Sequence, residues 1–274
     1  MKVGKLNILG HSISGVETCL IVPEYGAVFD IGHCPSEAVK HRTVFITHGH
    51  PDHLAGAIQH AAARSLIGAA PSRFIMPMNL TTPVKDLLKL WNSFQNHEFK
   101  AEILGLPAGG WVAIGKGLIA TTFATDHTMP SQGYLISRRT QKLKPQYAGL
   151  EGSEIAKLRL AGEEVSTQVE TPEFAYTGDT RPWVFEHYPS LLETEVLVTE
   201  ATFVEQGTLD MAEAKGHTHL AMLATLAHRF DKVGHLVLTH FSQRYDRAEV
   251  EAAVQGALPP ELLARTHLTP FVDG

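Results

Sequence analysis

Short runs of branched and aromatic residues recur along the chain, and each is closed by Gly, Pro or a polar residue. Runs of this length and composition are typical of buried β-strands. In the first half they read KLNILG, ETCLIVP, GAVFDIG, TVFITH, SRFIMP, WVAIG, GLIATTFAT and GYLIS. The pattern therefore predicts a large, mostly buried sheet.

Helical periodicity appears between the strand-like runs. Apolar residues share one helix face at about residues 52–63 and again at about 82–96, which predicts helices that cover the sheet. After Tyr176, strand-like and helical segments alternate, with helices predicted at about residues 210–230 and 247–255. The second half therefore repeats the architecture of the first, and we expect a single domain over residues 1–274.

The composition is that of an ordinary globular protein. Hydrophobic residues make up 44% of the 274 positions, and no segment approaches the roughly 20 apolar residues that a membrane helix needs. We therefore predict a cytoplasmic protein with no membrane partner. The two cysteines, Cys19 and Cys34, belong to no Cys-x-x-Cys pair, so we interpret both as buried thiols. The net charge of −6 means that any surface for nucleic acid must be local.

One segment, at approximately residues 138–171, departs from this pattern because it is polar and only weakly periodic. Between Arg138 and Arg159 it carries six basic residues against two acidic ones. We interpret it as an inserted basic arm that projects from the sheet. A solvated connector would have a similar composition, so charge alone leaves both interpretations open.

The sequence THGHPDH places four ligand-type side chains where a strand ends and a helix begins. These are His48, His50, Asp52 and His53. Imidazole nitrogens and carboxylate oxygens are typical zinc ligands. Four such groups so close in sequence suit two adjacent ions better than one, because consecutive side chains cannot all converge on a single tetrahedron.

Three further candidate ligands follow other predicted strands. His127 comes after GLIATTFATD, Asp179 after EFAYTG, and His240 after GHLVLT. Polar side chains placed directly after apolar runs lie where strand ends meet a cleft. Together with the first four residues they complete a set for two metal ions.

These motifs together resemble the metallo-β-lactamase superfamily. Within it, FDIG, SQGY, YTGDT, TEATF, GHTH and LTHFSQRY are similar to the tRNase Z family, and the segment KLKPQYAGLEGSEIAKLRLAGEEV resembles the short plant form. The resemblance implies an αββα sandwich of the α/β class with a short projecting arm. It also implies an endoribonuclease that removes the 3′ trailer of precursor tRNA.

The resemblance implies roles for individual residues. His48, His50 and His127 would hold one Zn²⁺, Asp52, His53 and His240 a second, and Asp179 would bridge the two ions. Asp52 would also accept a proton from the attacking water. Glu200 and His217 would form the pair that protonates the leaving oxygen, although GHTH alone leaves open whether His217 or His219 faces the site.

Substrate contacts are predicted at two places. Arg244 and Ser242 follow His240 and could bind phosphate, or they could simply begin the last helix. The basic residues Arg138, Arg139, Lys142 and Lys144 would grip the tRNA backbone. The resemblance further implies a homodimer.

Several alternatives stay open at this point. A phosphodiesterase of small esters or cyclic nucleotides would need the same metals, and a glyoxalase II type thioesterase is a more remote possibility. A non-catalytic RNA-binding relative is a third alternative, but it has no need of an open two-metal site. The His and Asp ligands would also accept Mn²⁺ or Fe²⁺.

Overall fold

The computed structural model describes residues 1–269, and in this range two seven-stranded sheets pack face to face between layers of helices. The strands are β1 (Lys2–Val3), β2 (Leu6–Asn7), β3 (Leu9–Ser14), β4 (Glu17–Val22), β5 (Ala27–Phe29), β6 (Thr43–Phe45), β7 (Ser72–Pro77), β8 (Ala101–Leu106), β9 (Trp111–Gly115), β10 (Leu118–Thr125), β11 (Ser131–Leu143), β12 (Ser166–Tyr176), β13 (Val196–Glu200), β14 (His235–Thr239), β15 (Phe241–Ser242) and β16 (Thr266–Leu268).

Most of the helices are short. They are α1 (Ser36–Val39), α2 (Pro51–Leu54), α3 (Ala57–Leu66), α4 (Thr81–Asn92), α5 (Gly152–Leu160), α6 (Val184–His187), α7 (Leu209–Ala214), α8 (Leu220–Thr225), α9 (Arg247–Ala257) and α10 (Pro260–Leu263). Short 3₁₀ turns lie at Met78–Leu80, Pro145–Tyr147, Pro189–Glu193 and Ala227–Phe230.

Each sheet mixes parallel and antiparallel strands. The first sheet has the order β15-β3-β4-β5-β6-β7-β8, and the second has the order β16-β14-β13-β12-β11-β10-β9. Strands β5 to β8 are parallel to one another, as are β12, β13, β14 and β16. Strands β9, β10 and β11 belong to the second sheet, so the prediction that all strand-like runs of the first half form one sheet is wrong.

An aromatic core joins the two sheets. The Phe29 and Phe45 rings of the first sheet stack with centroids 5.2 Å apart, and Phe29 lies 4.9 Å from Phe174 of the second. Phe45 lies 4.8 Å from Tyr134, whose hydroxyl donates a hydrogen bond to the Ile46 carbonyl at 2.6 Å. A hydrogen-bonded tyrosine in the core fixes the position of one sheet on the other as well as burying apolar area.

Helices cover the outer face of each sheet. On the first sheet, Ile58 of α3 and Val84 of α4 belong to one buried cluster with Phe74. On the second, Val250 of α9 is buried in a cluster with Leu238. Strand residues alternate between this outer contact and the aromatic core, which is the period-two pattern expected for strands buried on both faces.

Two predicted helices are broken in the structure. The helix expected at about residues 52–63 is divided into α2 and α3 at Gly56, whose N–H donates to the Ile31 carbonyl at 2.8 Å. The helix expected at about residues 210–230 is divided into α7, α8 and a 3₁₀ turn. Gly216 ends α7 with a φ of +70°, a left-handed conformation that favours glycine and stops helical propagation. In both places the helical spacing of apolar residues continues across the break, so the sequence pattern did not predict it.

The segment at 138–171, the arm, consists mainly of a two-stranded ribbon and a helix. Pairing of β10 with β11 ends at Arg138, whereas β11 and β12 stay paired as far as Leu143 and Ser166. The ribbon therefore extends past the rest of the sheet. Helix α5 lies at its tip and has no buried residue.

No helix within residues 1–269 is long and apolar enough to cross a membrane. Both cysteines are free and buried, as predicted.

We predict that His60 makes folding stability depend on pH. His60 is fully buried, and its two ring nitrogens contact the Ser72 hydroxyl at 2.8 Å and the Ala38 carbonyl at 3.1 Å. Burial lowers the pKa of His60 from 6.5 to about 4. Between these values the unfolded chain binds a proton that the folded chain excludes, so stability falls as pH drops from 6.5 to 4, by up to about 1.4 kcal/mol per pH unit.

The measurement is the urea unfolding free energy between pH 4 and pH 7. His60→Gln should lower stability at neutral pH but give a shallower pH dependence than the wild type, and His228→Gln, at an exposed position, should leave the slope unchanged. Parallel curves for the wild type and His60→Gln would refute the assignment.

Candidate active site

The predicted metal ligands gather at one edge of the sandwich. Five of them follow the ends of β6, β10, β12 and β14, and the other two lie in α2. These strands run in the same direction within their sheets, so their ends meet at a shared edge. The residues brought together are His48, His50, Asp52, His53, His127, Asp179 and His240.

A fully buried carboxylate, Asp30, anchors this edge. Its oxygens accept hydrogen bonds from the Thr47 N–H at 2.7 Å and the Thr47 hydroxyl at 2.9 Å. They also accept from His53 Nδ1 and from the Tyr176 hydroxyl, both at 2.8 Å. Because Tyr176 belongs to the second sheet, Asp30 connects both sheets to one predicted ligand. Its φ of 55° is a left-handed conformation that aspartate tolerates better than most residues.

The ligand histidines are held by their outer ring nitrogens. Nδ1 of His53 binds Asp30, and Nδ1 of His48 lies 2.9 Å from the Thr47 hydroxyl. Nδ1 of His127 binds the Gly216 carbonyl at 2.9 Å. These contacts fix the ring orientations and leave Nε2 of each imidazole directed into the cluster, which is how proteins orient metal-binding histidines.

The inner nitrogens face one another at short range. His48 Nε2 lies 3.0 Å from His50 Nδ1, which lies 3.3 Å from His127 Nε2. His53 Nε2 and His240 Nε2 are 3.2 Å apart. The predicted ligand atoms form two groups, each with all members within 4.8 Å: His48, His50, His127 and Asp179 in one, and Asp52, His53 and His240 in the other. A third group with this spacing, Asp179, His217 and His240, overlaps both.

Asp179 lies between the two groups. Its Oδ2 is 3.8 Å from His48 Nε2, 3.4 Å from His53 Nε2 and 3.9 Å from His127 Nε2. Its Oδ1 is 3.5 Å from His240 Nε2 and is buried without a hydrogen-bond partner among the described residues. A buried carboxylate oxygen without a donor is costly, and a cation would satisfy it.

These distances fit divalent metal ions. Two ligand atoms on a tetrahedral ion, each bonded at about 2.0–2.1 Å, lie roughly 3.3 Å apart. The nitrogen pairs described above have that spacing. The chemistry of the donors agrees, since imidazole and carboxylate together bind zinc and its neighbours in the first transition row.

The electrostatics of His48, Asp179 and Asp52 also favour ligation, whereas the Asp179 and Asp30 carboxylates outweigh burial and raise the pKa of His53. Burial lowers the pKa of His48 and so favours the neutral form that binds a metal. Burial alone would raise the pKa of Asp179, but the His240 and His53 imidazoles lower it well below its usual range. Asp52 behaves similarly, because contacts with His240 and His53 lower its pKa more than burial raises it. Both carboxylates are therefore ionised at neutral pH.

Glu200 and His217 form a buried pair beside this cluster. His217 Nδ1 lies 3.0 Å from Glu200 Oε1 and 3.9 Å from Asp179 Oδ2. Burial lowers the pKa of His217, but the Glu200 carboxylate outweighs this and raises it to about 9. The imidazole is therefore protonated at neutral pH, as a general acid must be. The Thr180 N–H donates to Glu200 at 2.7 Å and helps to fix the carboxylate.

His219 has a structural role instead. Its Nδ1 accepts a hydrogen bond from the Ala221 N–H and caps α8, and its Nε2 donates to the Glu205 carbonyl at 3.0 Å. Both ring nitrogens are thus occupied away from the cluster. Of the two histidines between which the sequence left the choice open, His217 is the one that lies beside the predicted metal ligands.

Comparison of the sequence with known proteins identifies the family of the chain. The family model described as beta-lactamase superfamily domain matches residues 31–241. The chain is 37% identical over 268 residues to tRNase Z TRZ1 of Arabidopsis thaliana, and this match covers 97% of the chain and 95% of the relative. The chain belongs to the tRNase Z family.

Further matches agree with this membership. The chloroplastic tRNase Z TRZ2 of Arabidopsis thaliana is 37% identical over 250 residues, covering 90% of the chain and 70% of the relative. The crystal structure of the short form of human tRNase Z superposes with a TM-score of 0.63 at 19% identity, covering 96% of the chain and 95% of that structure. This superposition shows the shared fold. The predicted family and the αββα fold of the α/β class are confirmed.

Thr202 is a site residue of this tRNase Z family member that the sequence prediction missed. Its buried hydroxyl donates to Glu200 Oε2 and lies 3.0 Å from His240 Nδ1. It therefore links the Glu200–His217 pair to a metal ligand and supplies the outer contact of His240. A polar residue two positions after Glu200 was the available signal.

The predicted phosphate contacts Ser242 and Arg244 lie close to this network. Ser242 ends β15, and its N–H donates to the Thr202 carbonyl at 3.0 Å. Arg244 is exposed, its guanidinium lies over the Phe203 ring at 5.6 Å, and no carboxylate pairs with it among the described residues. Neither residue lies in α9, so the alternative that they begin the last helix is wrong.

Most of the arm cations predicted to bind RNA are already paired. Arg138 forms a bidentate ion pair with Glu173. Arg139 pairs with Glu170 at 2.9 Å, and Lys144 with Glu164 at 3.2 Å. The count of six basic residues against two acidic ones ended at Arg159, before Glu164 and before the returning strand β12, which carries Glu170 and Glu173. Ion pairs thus neutralise Arg138, Arg139 and Lys144, and their contact with the tRNA backbone stays a prediction, whereas Lys142 is exposed and has no ion pair within the described range.

We predict that Asp30→Asn weakens metal binding. The amide cannot accept all the hydrogen bonds that converge on Asp30, so His53 loses the contact that orients its ring. Loss of such an outer contact costs about 10–100-fold in metal affinity. Competition with a chromophoric chelator measures the zinc affinity.

Asp246→Asn is the matched control, because Asp246 caps α9 on the surface and asparagine caps helices about as well as aspartate. Equal zinc affinity in Asp30→Asn and Asp246→Asn would contradict the role assigned to Asp30.

Proposed function

We propose that this chain is a metal-dependent endoribonuclease that removes the 3′ trailer of precursor tRNA. The single observation that carries the proposal is the 37% identity to a tRNase Z over 97% of the chain. The site supports it independently, because a two-group ligand cluster and a protonated histidine lie side by side. A thioesterase or a non-catalytic binding protein has no evident use for the Glu200–His217 pair.

The site would hold two Zn²⁺ ions. His48, His50 and His127 would bind one, Asp52, His53 and His240 the other, and Asp179 would contact both. When bound, such ions supply Lewis-acid activation of water and neutralise charge on the phosphoryl group. The same ligands would accept Mn²⁺ or Fe²⁺, so zinc is part of the proposal.

The side chains supply the proton transfers. Asp52, ionised and 11% exposed, would accept the proton of the attacking water as the new bond to phosphorus forms. His217 would give its proton to the ribose oxygen that leaves as the old phosphorus–oxygen bond breaks. Glu200 keeps His217 protonated and oriented, and Thr202 keeps Glu200 in place.

Substrate contacts would come from both ends of the molecule. Ser242 and Arg244, next to His240, would bind phosphate near the scissile bond. On the arm, the exposed Lys142, with Lys157 and Arg159 of α5, would contact the tRNA backbone at a distance from the metal ions. A homodimer and a cytoplasmic location remain predictions, and one of the relatives is named as chloroplastic.

We predict that purified protein contains about two zinc equivalents and cuts a 3′-extended tRNA transcript just after the discriminator base. His217→Ala should keep the metal but slow cleavage about a hundredfold or more, because the general acid is lost. Single-turnover cleavage and elemental analysis give the two readouts. His228→Ala, on an exposed turn, serves as the control.

Full activity of His217→Ala would remove this histidine from the mechanism. Turnover of small phosphodiesters without cleavage of precursor tRNA would instead favour the alternative substrate class.

We predict that the triple variant Lys142→Ala, Lys157→Ala, Arg159→Ala binds precursor tRNA more weakly. Loss of up to three phosphate contacts should reduce the slope of log affinity against log salt by about two. Hydrolysis of bis-p-nitrophenyl phosphate should be unaffected, because the arm lies away from the metal site.

Arg139→Ala is the control for this experiment, since Arg139 is already paired with Glu170 and lies over the Trp111 ring at 4.7 Å. If Arg139→Ala lowers the salt slope as much as the triple variant, the distinction between paired and free cations fails.

A further inference from the structure

Three further side chains of types that bind metals, those of His11, Glu17 and His33, lie near one another outside the proposed active site. In the antiparallel pair β3–β4, His11 is opposite Cys19 and Glu17 is opposite Ile13. His11 and Glu17 are therefore diagonal neighbours on one face of the pair. His11 Nε2 contacts Glu17 Oε1 directly.

His33 reaches the same carboxylate from a different segment. The Gly32 N–H donates to the Thr18 carbonyl at 2.8 Å, which holds the loop after β5 against β4. This contact places His33 Nδ1 3.8 Å from Glu17 Oε2. Two imidazoles from separate segments thus approach the two oxygens of one carboxylate. Within residues 1–269 His11 has no hydrogen-bond partner besides Glu17, and the His33 ring has none.

We propose that His11, Glu17 and His33 form a third divalent-cation site of the zinc class. Two imidazoles and one carboxylate are a common zinc ligand set, and water can complete the coordination. The Glu17 side chain is 22% exposed and that of His11 is 25% exposed, whereas His33 is 54% exposed. His33 can therefore rotate onto an ion held by the other two. Imidazole ligands favour Zn²⁺ over Mg²⁺.

An ion at this third site would act on the neighbouring active site. The turn between β3 and β4 carries Gly15, whose N–H donates to Asp52 Oδ2 at 2.8 Å. The loop that carries His33 includes Gly32, where an added Cβ would lie only 1.9 Å from the Asp52 carbonyl oxygen. Asp52 thus contacts both segments that the third ion would join, the β3–β4 turn at Gly15 and the loop after β5 at Gly32. Binding there should hold the β3–β4 turn against Asp52.

Zinc binding to the full-length protein tests the site without using RNA cleavage. Equilibrium dialysis against buffered free Zn²⁺ should give one more equivalent for the wild type than for His33→Gln or Glu17→Gln. In either variant the Zn²⁺ affinity of the third site should fall about tenfold or more, as it does when a metal site loses a supporting group. The exposed His228→Gln should behave like the wild type, and Mg²⁺ should not compete.

Hydrogen exchange gives a second readout. Added Zn²⁺ should slow exchange in residues 9–22 of the wild type but not of His33→Gln, with circular dichroism confirming that both are folded. The same zinc stoichiometry in the wild type, His33→Gln and Glu17→Gln would overturn the site. An extra equivalent without a change in exchange would overturn the coupling to Asp52.

Discussion

The contacts of Asp30 set the geometry on which the rest of the site depends. A carboxylate with no exposed surface would be strongly unfavourable without partners. Here it receives hydrogen bonds from Thr47, His53 and Tyr176, which come from three different segments. It therefore connects the second sheet to the segment that carries the first predicted metal ligands. Removing one partner would leave a buried charge with incomplete hydrogen bonding, so these residues have to be present together.

Glu200 is the corresponding residue on the second sheet. It is also completely buried, and it receives hydrogen bonds from Thr180, Thr202 and His217. Asp30 fixes a predicted metal ligand, whereas Glu200 fixes the proposed proton donor and, through Thr202, also affects His240. Two buried carboxylates, one at the end of a parallel strand in each sheet, thus orient the groups that would carry out the chemistry. The metal ligands lie between them.

Much of this arrangement could be predicted from the order of residues, because ligand side chains directly after apolar strands lie at the edge of the sheet. The strand ends predicted the convergence of His127, Asp179 and His240 with the THGHPDH segment. Features that depend on tertiary contacts could not be predicted in this way. The sequence gives no sign that Glu164, Glu170 and Glu173 lie across from the arm cations, because the pairing register of β11 and β12 is set by the whole ribbon. The role of Thr202 likewise depends on its tertiary contacts with Glu200 and His240.

The site is also an unfavourable arrangement unless cations lie within it. Ring nitrogens of the predicted ligands lie only 3.0–3.3 Å from one another, and Asp179 Oδ1 is buried without a donor among the described residues. His240 adds a left-handed φ of 62°, which costs about 1 kcal/mol or more for a residue other than glycine. These terms are offset when an ion binds, because the binding free energy then contributes to folding. The hydrogen bonds of Asp30 hold His53 in place, and those of Glu200 hold His217 and Thr202. The two buried carboxylates are therefore as necessary to the proposed site as the residues that would touch the metal.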